Sequence, residues 1–174
     1  MNTLQKLYSL EGLRIIVTGA SSGLGLSQAI MLAECGATVF ALSRSGKPKV
    51  ETKLNIPENV IFDKLDVNNE EEIKQKITDI GKNGGIDVLI NNAGITQRVR
   101  AEEITKELWE SIHAVNVTAI AMCCKYAFPY LKQSKHTGRI INISSMASYL
   151  GFSEVVPYSS SKAAVLGITR GLAV

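Results

Sequence analysis

The stretch RIIVTGASSGLG, residues 14–25, decides the fold of this 174-residue chain. Its first five residues form a short apolar run, which is typical of a buried strand in a parallel sheet. Gly19, Gly23 and Gly25 then allow a tight turn and let the phosphates of a dinucleotide approach the N-terminal end of the next helix. That helix carries an apolar pattern from Gly23 to Glu34 and is expected to stop at Gly36. The stretch therefore predicts a strand, a turn and a helix that together bind a dinucleotide.

The rest of the chain repeats this alternation of strand and helix without a linker. The predicted strands are residues 14–18, 38–42, 60–65, 87–90 and 139–144. Four helices are predicted: the first covers residues 23–34, the second is capped by Asn69, the third runs from about 106 to about 133, and the fourth begins near Pro157. Residues 45–59, rich in Gly, Pro, Lys and Asn, are predicted as loop with at most one short helix. Right-handed crossovers then give an α/β fold: a single domain, residues 1–174, with a doubly wound parallel sheet whose switch point lies beside the first strand.

Polar residues follow the predicted strands at the end where ligands of such sheets bind. Asn91-Asn92-Ala93-Gly94 follows the fourth strand, and its small residues leave room for a ligand against the backbone. Ser145 follows the fifth. Tyr158 and Lys162 lie four residues apart, so a helix opened by Pro157 would place them on one face. A lysine charge there lowers the pKa of the phenol and prepares it for proton transfer, although the spacing alone also fits an ordinary exposed pair.

In these motifs the chain resembles the classical short-chain dehydrogenases/reductases. The motifs occur in the order and at the spacings typical of that family, from Leu10 to the last residue, and are Thr18-Gly19-x₃-Gly23-x-Gly25, Asn91-Asn92-Ala93-Gly94, Asn116, Ser145 and Tyr158-x₃-Lys162. The resemblance implies a Rossmann fold and hydride transfer between a nicotinamide cofactor and a carbonyl or secondary alcohol. A non-catalytic dinucleotide-binding module is the alternative, but it would not need Tyr158.

The resemblance also implies a role for each residue of the catalytic set. Tyr158 would donate the proton in reduction and accept it in oxidation, and Lys162 would favour the phenolate and hold the nicotinamide ribose. Ser145 would donate a hydrogen bond to the substrate oxygen, with the adjacent Ser144 as a rival. Asn116 would anchor a water that continues the proton relay, and a helix-kink asparagine satisfied by backbone is compatible with that role.

The end of the second strand bears on the cofactor. Family members that prefer NAD usually carry Asp where this chain has Ser43, and Arg44 follows, so we expect NADP, with NAD as the alternative. Ser22 and Lys47 would add donors, although Arg44 also fits an ordinary surface residue. Asp66 matches the position that binds the adenine amino group in the family. The expected cofactor-binding residues are Thr18, Gly19, Ser21, Ser22, Gly23, Leu24, Gly25, Ser43, Arg44, Asp66, Val67, Asn92, Ala93, Gly94, Tyr158 and Lys162.

The substrate is less determined by the sequence. Residues 92–100 and 145–151 look similar to the sugar-acid branch of the family, such as gluconate 5-dehydrogenases. Arg98 is the candidate partner of a substrate carboxylate, and a solvated loop arginine fits equally well. A 3-oxoacyl carrier-protein thioester is the rival substrate class.

The last residues, Gly171 to Val174, carry no helix stop signal. Relatives continue with the rest of this helix, further strands and a segment that closes over the substrate. We therefore expect a domain that lacks its last strands and ends inside the catalytic helix, with an apolar sheet edge left uncovered. A fragment of an active enzyme, a binding module and a complete small enzyme all fit this end.

Composition excludes several other classes of function. A net charge of +3 and a basic cluster of Lys47, Lys49 and Lys53 without aromatic neighbours do not indicate nucleic-acid binding, and we interpret the cluster as a solvated loop. No apolar run reaches membrane-spanning length, and the first six residues lack the pattern of a signal peptide. Three cysteines and two histidines without an acidic cluster indicate neither a disulfide framework nor a metal site. These features predict a cytoplasmic protein with a small-molecule substrate, and the resemblance predicts a homo-oligomer for the full-length protein.

Overall fold

A five-stranded parallel sheet forms the centre of the computed structural model, which describes residues 8–49 and 55–174. The strands are β1 (Arg14–Thr18), β2 (Thr38–Ser43), β3 (Val60–Lys64), β4 (Val88–Asn91) and β5 (Arg139–Asn142). Their order is β3-β2-β1-β4-β5, so the chain reverses its direction of winding beside β1. The predicted doubly wound parallel sheet is therefore confirmed. The first residues of the chain and Lys53 lie outside the described residues, as does part of the predicted loop 45–59.

Helices cover both faces of this sheet. They are α1 (Gly23–Glu34), α2 (Glu70–Lys82), α3 (Lys106–His113), α4 (Ala119–Lys132) and α5 (Val156–Gly171), with short 3-10 turns at Ala101–Glu103 and Met146–Ser148. The predicted long helix over 106–133 is continuous from Lys106 to Lys132, and a π-helical segment, Ala114–Thr118, which was not predicted, joins α3 to α4. Within the described ranges, no helix is long and apolar enough to span a bilayer.

Local sequence signals account for several helix ends. The side chain of Asn69 accepts a hydrogen bond from the backbone N–H of Glu72 at 3.2 Å, which caps α2 as predicted. Gly36 follows α1 with a φ of +100°, a conformation that favours glycine. The predicted fifth strand is too long, because β5 ends at Asn142 and the hydroxyl of Ser144 turns away to bond α5.

The sheet is apolar on both faces, as its continuous hydrophobic runs predict. Alternate side chains of β1 enter different clusters: Ile15 and Val17 pack with alanines of α1, whereas Ile16 packs against α2, α4 and α5. The packing of helices on both faces of the sheet fixes the position of β1, and with it the position of the loop that begins at Gly19.

The β5 edge of the sheet is open. Ile141 on this strand is 45% exposed, and a groove of about 660 Å³ runs beside it, lined by Phe128, Leu131, Ile140 and Leu172 among others. This agrees with the expectation of an uncovered apolar edge.

Candidate active site

A cleft of about 870 Å³ lies at the carboxyl ends of the central strands, where open α/β sheets bind ligands. It has the size typical of a cofactor site. Most of the expected cofactor-binding residues line it: Gly19, Ser21, Ser22, Leu24, Gly25, Ser43, Arg44, Asp66, Val67, Asn92, Ala93 and Gly94. Thr18, Gly23, Tyr158 and Lys162 are not part of this lining.

The glycine loop leaves the N-terminus of α1 open toward a ligand. Gly19 has a φ of +69°, and a Cβ there would lie 2.8 Å from the Cα of Ala93. Gly25 packs even more tightly, because a Cβ would lie 2.5 Å from the carbonyl oxygen of Gly19 and would also meet the side-chain amide of Asn92. The N-cap residue of α1, Ser22, makes no side-chain capping bond. The free N–H groups of the first turn therefore fit the phosphates of a dinucleotide.

Thr18 joins the loops that follow β1 and β4. Its hydroxyl oxygen accepts hydrogen bonds from the backbone N–H groups of Asn92 and Ala93, both at 3.1 Å. In return, the side-chain amide of Asn92 donates to the carbonyl oxygen of Thr18 at 2.9 Å. Thr18 is buried, so the structure places it behind the cleft wall, where it positions the loop.

Two cationic side chains line the end of the cleft beside β2. Arg44 is exposed and makes no ion pair with any residue in the described part of the chain. Lys49, which sequence reasoning assigned to a solvated loop, also lines the cleft, because its backbone N–H bonds the carbonyl oxygen of Ser21 at 2.9 Å. Ser43 and Ser45 also line the cleft, with hydroxyl oxygens 3.3 Å apart, and the hydroxyl of Ser45 donates to the carbonyl oxygen of Lys47 at 2.7 Å. Sequence reasoning missed Ser45 and Lys49, and their position just after Arg44 was the available signal.

Asp66 lines the cleft on the β3 side. Its side chain accepts a hydrogen bond from the backbone N–H of Asn68 at 3.0 Å, and its own N–H donates to the carboxylate of Glu72. The carboxylate keeps further acceptor capacity toward the cleft.

Asn116 is buried in the π-helical segment, and three hydrogen bonds satisfy its side chain. The oxygen accepts from the N–H of Ile95 at 2.8 Å, while the amide donates to the carbonyl oxygen of Ile95 at 2.9 Å and to the hydroxyl of Ser161 at 3.0 Å. A π-helical turn inside a longer helix often occurs at a functional site. Asn116 thereby joins the loop after β4 to α5.

Lys162 reaches the same point from α5. Its side chain is buried, and its ammonium donates to the carbonyl oxygen of Ile143 at 2.7 Å. Burial lowers the pKa of Lys162. The ammonium lies 5.9 Å from the centre of the Tyr158 ring, and a Cβ on Gly94 would lie 3.5 Å from it and 3.3 Å from the side-chain oxygen of Asn116. The structure therefore brings Asn116, Lys162 and Gly94 together, with Tyr158 beside them.

The two candidate serines have different surroundings. The hydroxyl of Ser144 donates to the carbonyl oxygen of Lys162 at 2.9 Å and lies 2.6 Å from the hydroxyl of Ser148. The hydroxyl of Ser145 only accepts, from the N–H of Ala147 at 3.2 Å, and Ser145 is half-buried. Ser145 therefore keeps a proton that it can donate to a ligand.

Arg98 lies on the loop after β4, and its side chain is 77% exposed. Its guanidinium is 4.0 Å from the carboxylate of Glu154, and the N–H of Val99 donates to the carbonyl oxygen of Glu154 at 2.8 Å. These contacts tie the loop to the segment that precedes Tyr158. Among the described residues, no cluster of three or more potential metal ligands occurs.

Comparison with known proteins gives the family. Residues 14–174 match the family model described as short chain dehydrogenase. The chain is 34% identical over 175 residues to the 2-dehydro-3-deoxy-D-gluconate 5-dehydrogenase of Bacillus subtilis, in a match that covers 99% of this chain and 68% of that enzyme.

Solved structures agree with this match. A protein from Sinorhizobium meliloti assigned as a short-chain alcohol dehydrogenase has a TM-score of 0.85 and 34% identity, with 95% of this chain and 67% of that chain covered. A protein from Beutenbergia cavernae assigned as an NAD(P)-dependent gluconate 5-dehydrogenase, with NADP bound at low occupancy, has a TM-score of 0.79 and 32% identity over the same shares. The chain therefore belongs to the short-chain dehydrogenase family of NAD(P)-dependent oxidoreductases.

Proposed function

We propose that this oxidoreductase interconverts a carbonyl and a secondary alcohol with Tyr158 as the proton donor and acceptor. The observation that carries this proposal is the meeting of Asn116, Lys162 and Gly94 beside Tyr158, next to a cleft shaped for a dinucleotide. A bound nicotinamide supplies or accepts the hydride at its C4 atom. The uncapped first turn of α1 and the glycine loop fit the phosphates of such a cofactor.

In the direction of reduction, negative charge develops on the substrate oxygen and must be neutralised as it forms. The phenol of Tyr158 donates its proton to this oxygen, and the free proton of Ser145 donates a hydrogen bond to the same atom. The buried ammonium of Lys162 stabilises the phenolate that remains. In oxidation the phenolate takes the proton back. The firm bonding of Asn116 to Ile95 and Ser161 supports its assignment as the anchor behind Lys162.

The free hydroxyl proton of Ser145 favours it over Ser144 in this role. The proton of Ser144 is already engaged with α5, so moving it toward a substrate would release the carbonyl oxygen of Lys162. Ser144 then supports the helix that carries Tyr158.

The cofactor is NADP in this proposal. Arg44 and Lys49 place two positive charges at the β2 end of the cleft, which suits a 2′-phosphate. The described part of the cleft has no carboxylate at the end of β2, where a ribose-binding acid would favour NAD. The NADP in the Beutenbergia cavernae structure supports the same choice.

The substrate proposed is a sugar acid. The name of the Bacillus subtilis relative supports this class, and Arg98 offers a guanidinium to a carboxylate. The contact with Glu154 is long and exposed, so a substrate carboxylate can compete for Arg98. The expected homo-oligomer and cytoplasmic location stay predictions.

The experiment for the chemistry is Tyr158→Phe in the protein expressed from the complete reading frame. We expect kcat to fall roughly 10²–10⁴-fold, the usual contribution of a positioned general acid or base, with NADPH affinity unchanged within about twofold. Tyr130→Phe, the same change in a ring that packs against Gly81 away from the cleft, is the matched control. Turnover of Tyr158→Phe within a few-fold of wild type would remove Tyr158 from the mechanism.

The cofactor and substrate are tested separately. Wild type should bind NADPH more tightly than NADH, Arg44→Asp should reverse this order, and Arg170→Asp, at the far end of α5, should leave it unchanged. Arg98→Ala should reduce kcat/KM for a sugar acid much more than for a neutral polyol. Equal NADPH and NADH affinities in wild type would contradict the NADP assignment. High activity on a 3-oxoacyl thioester alone would establish the rival substrate class.

A further inference from the structure

The helix that carries Tyr158 begins without a local cap. Val155 occupies the N-cap position of α5 and has no side chain that could bond the first N–H groups. The unpaired groups of a helix start must then be held by other means, and the orientation of its first turn depends on contacts from other elements. Tyr158 lies in this turn.

One such contact comes from His113, the last residue of α3. Its Nε2 atom lies 3.3 Å from the hydroxyl of Ser160, and the same hydroxyl lies 2.9 Å from the carbonyl oxygen of Pro157. Ser160 lies two residues after Tyr158 on α5, so a hydrogen bond between Ser160 and His113 links this turn to α3. It is separate from the bonds of Asn116.

The imidazole of His113 is itself held in place. Its Nδ1 atom is 2.9 Å from the carbonyl oxygen of Trp109, and because a carbonyl only accepts, Nδ1 carries the proton. The ring also stacks on the Trp109 side chain, with centroids 4.5 Å apart and planes 18° from parallel. In the neutral ring Nε2 is therefore an acceptor, and the single hydroxyl proton of Ser160 is donated either to His113 or to the carbonyl oxygen of Pro157, not to both at once.

We propose that His113 is a positioning residue of this enzyme, which acts through Ser160 on the turn that carries Tyr158. This inference rests on the proposed role of Tyr158. Ser161 supports the same turn from the other side, because its hydroxyl accepts from Asn116 and donates to the carbonyl oxygen of Tyr158 at 2.7 Å. The middle serines of the Tyr158–Lys162 motif thus link the proton donor to α3 and to the π-helical segment.

A double-mutant cycle tests the proposal in the protein expressed from the complete reading frame. His113→Ala and Ser160→Ala should each lower kcat roughly threefold to tenfold, since one neutral hydrogen bond contributes about that much. The Michaelis constant for NADPH should stay within about twofold, because neither residue lines the cofactor cleft. The double variant should be no slower than the slower single variant, which shows that both act through one contact. His113→Gln, which keeps a polar group at the end of the side chain, should retain more activity than His113→Ala.

Two further variants make the outcome unambiguous. Glu110→Gln breaks only an exposed ion pair with Lys106 on the same helix and should leave kcat unchanged. Tyr158→Phe, assayed in parallel, tests the proposed function by itself. If Tyr158→Phe is inactive while Ser160→Ala keeps wild-type kcat, the positioning role of His113 is wrong and the proposed function stands. The positioning role would also be wrong if the losses in the double variant were additive, or if His113→Ala and Ser160→Ala lowered stability while kcat stayed unchanged. Ser160→Ala alone decides the question if His113→Ala does not fold.

Discussion

Thr18→Val is the substitution that most directly tests how the cleft is built. It replaces a buried hydroxyl by a methyl group of similar size, in a strand where valine is favoured. Judged by strand propensity and hydrophobicity, the variant should be more stable than wild type. We expect the opposite, because the hydroxyl oxygen accepts from the backbone N–H groups of Asn92 and Ala93.

The expected size follows from the two donors left behind. A buried donor without a partner costs about 1–3 kcal/mol, so two part-buried N–H groups that reach some water should cost about 2–4 kcal/mol together. Thr18→Ser keeps the hydroxyl and loses only a buried methyl group, which costs about 1 kcal/mol. The serine variant should therefore be the more stable of the two by about 1–3 kcal/mol.

Equilibrium urea unfolding of wild type and both variants measures this difference, and NADPH titration reports the loop position. Thr18→Val should also bind NADPH more weakly than Thr18→Ser, since Asn92 and Ala93 line the cleft. If the valine variant is as stable as the serine variant, the hydroxyl does not hold the two loops together and the reasoning fails.

Three further predictions follow from packing, burial and charge. Gly25→Ala should lower stability by about 1–3 kcal/mol and weaken NADPH binding, because the backbone of the glycine loop occupies the space that the new Cβ needs. Gly167→Ala should instead raise stability by about 0.5–1 kcal/mol in the same unfolding assay, because no atom lies within 4 Å of its Cβ position. Burial lowers the pKa of Lys162 in the folded protein below its ordinary value of 10.5. At a pH between the folded-state pKa and 10.5, the unfolded chain therefore binds more protons than the folded protein. The stability of wild type relative to Lys162→Met should therefore rise as pH rises through that window, and a fall would contradict the burial of a charged lysine. In native protein a thiol reagent at pH 8 should modify exposed Cys35 but not buried Cys123, whose pKa burial raises to about 12, and rapid labelling of both would contradict this packing.

The sequence was sufficient to predict the sheet because its signals are local. The apolar run of β1 and the glycines after it determine a strand, a turn and a helix without help from distant residues. Asn69 likewise predicts its own cap. The positions of Asn116, Ser145, Tyr158 and Lys162 came from motif order, and the structure adds the partners that each side chain has.

The π-helical segment could not be predicted in this way. Residues 114–118 look like an ordinary helix, and what distinguishes them is the bonding of Asn116 to Ile95 and Ser161, which are distant in sequence. Lys49 lies on an exposed loop as predicted, but its place in the cleft could not be predicted, since it depends on a backbone bond to Ser21. Long-range contacts of this kind leave no periodic pattern in the chain.

The strand order also has a consequence for synthesis on the ribosome. β1 pairs with β2 on one side and with β4 on the other. The hydrogen bond between Thr18 and Asn92 cannot form until Asn92, which is 74 residues further along the chain, has been synthesised. At about 5–20 residues per second, one edge of this buried strand stays unpaired for roughly 4–15 s during translation. Until β4 emerges, the nascent chain presents a bare apolar strand that other chains or chaperones can bind. The strand that organises the finished cleft is thus the most vulnerable part of the unfinished protein.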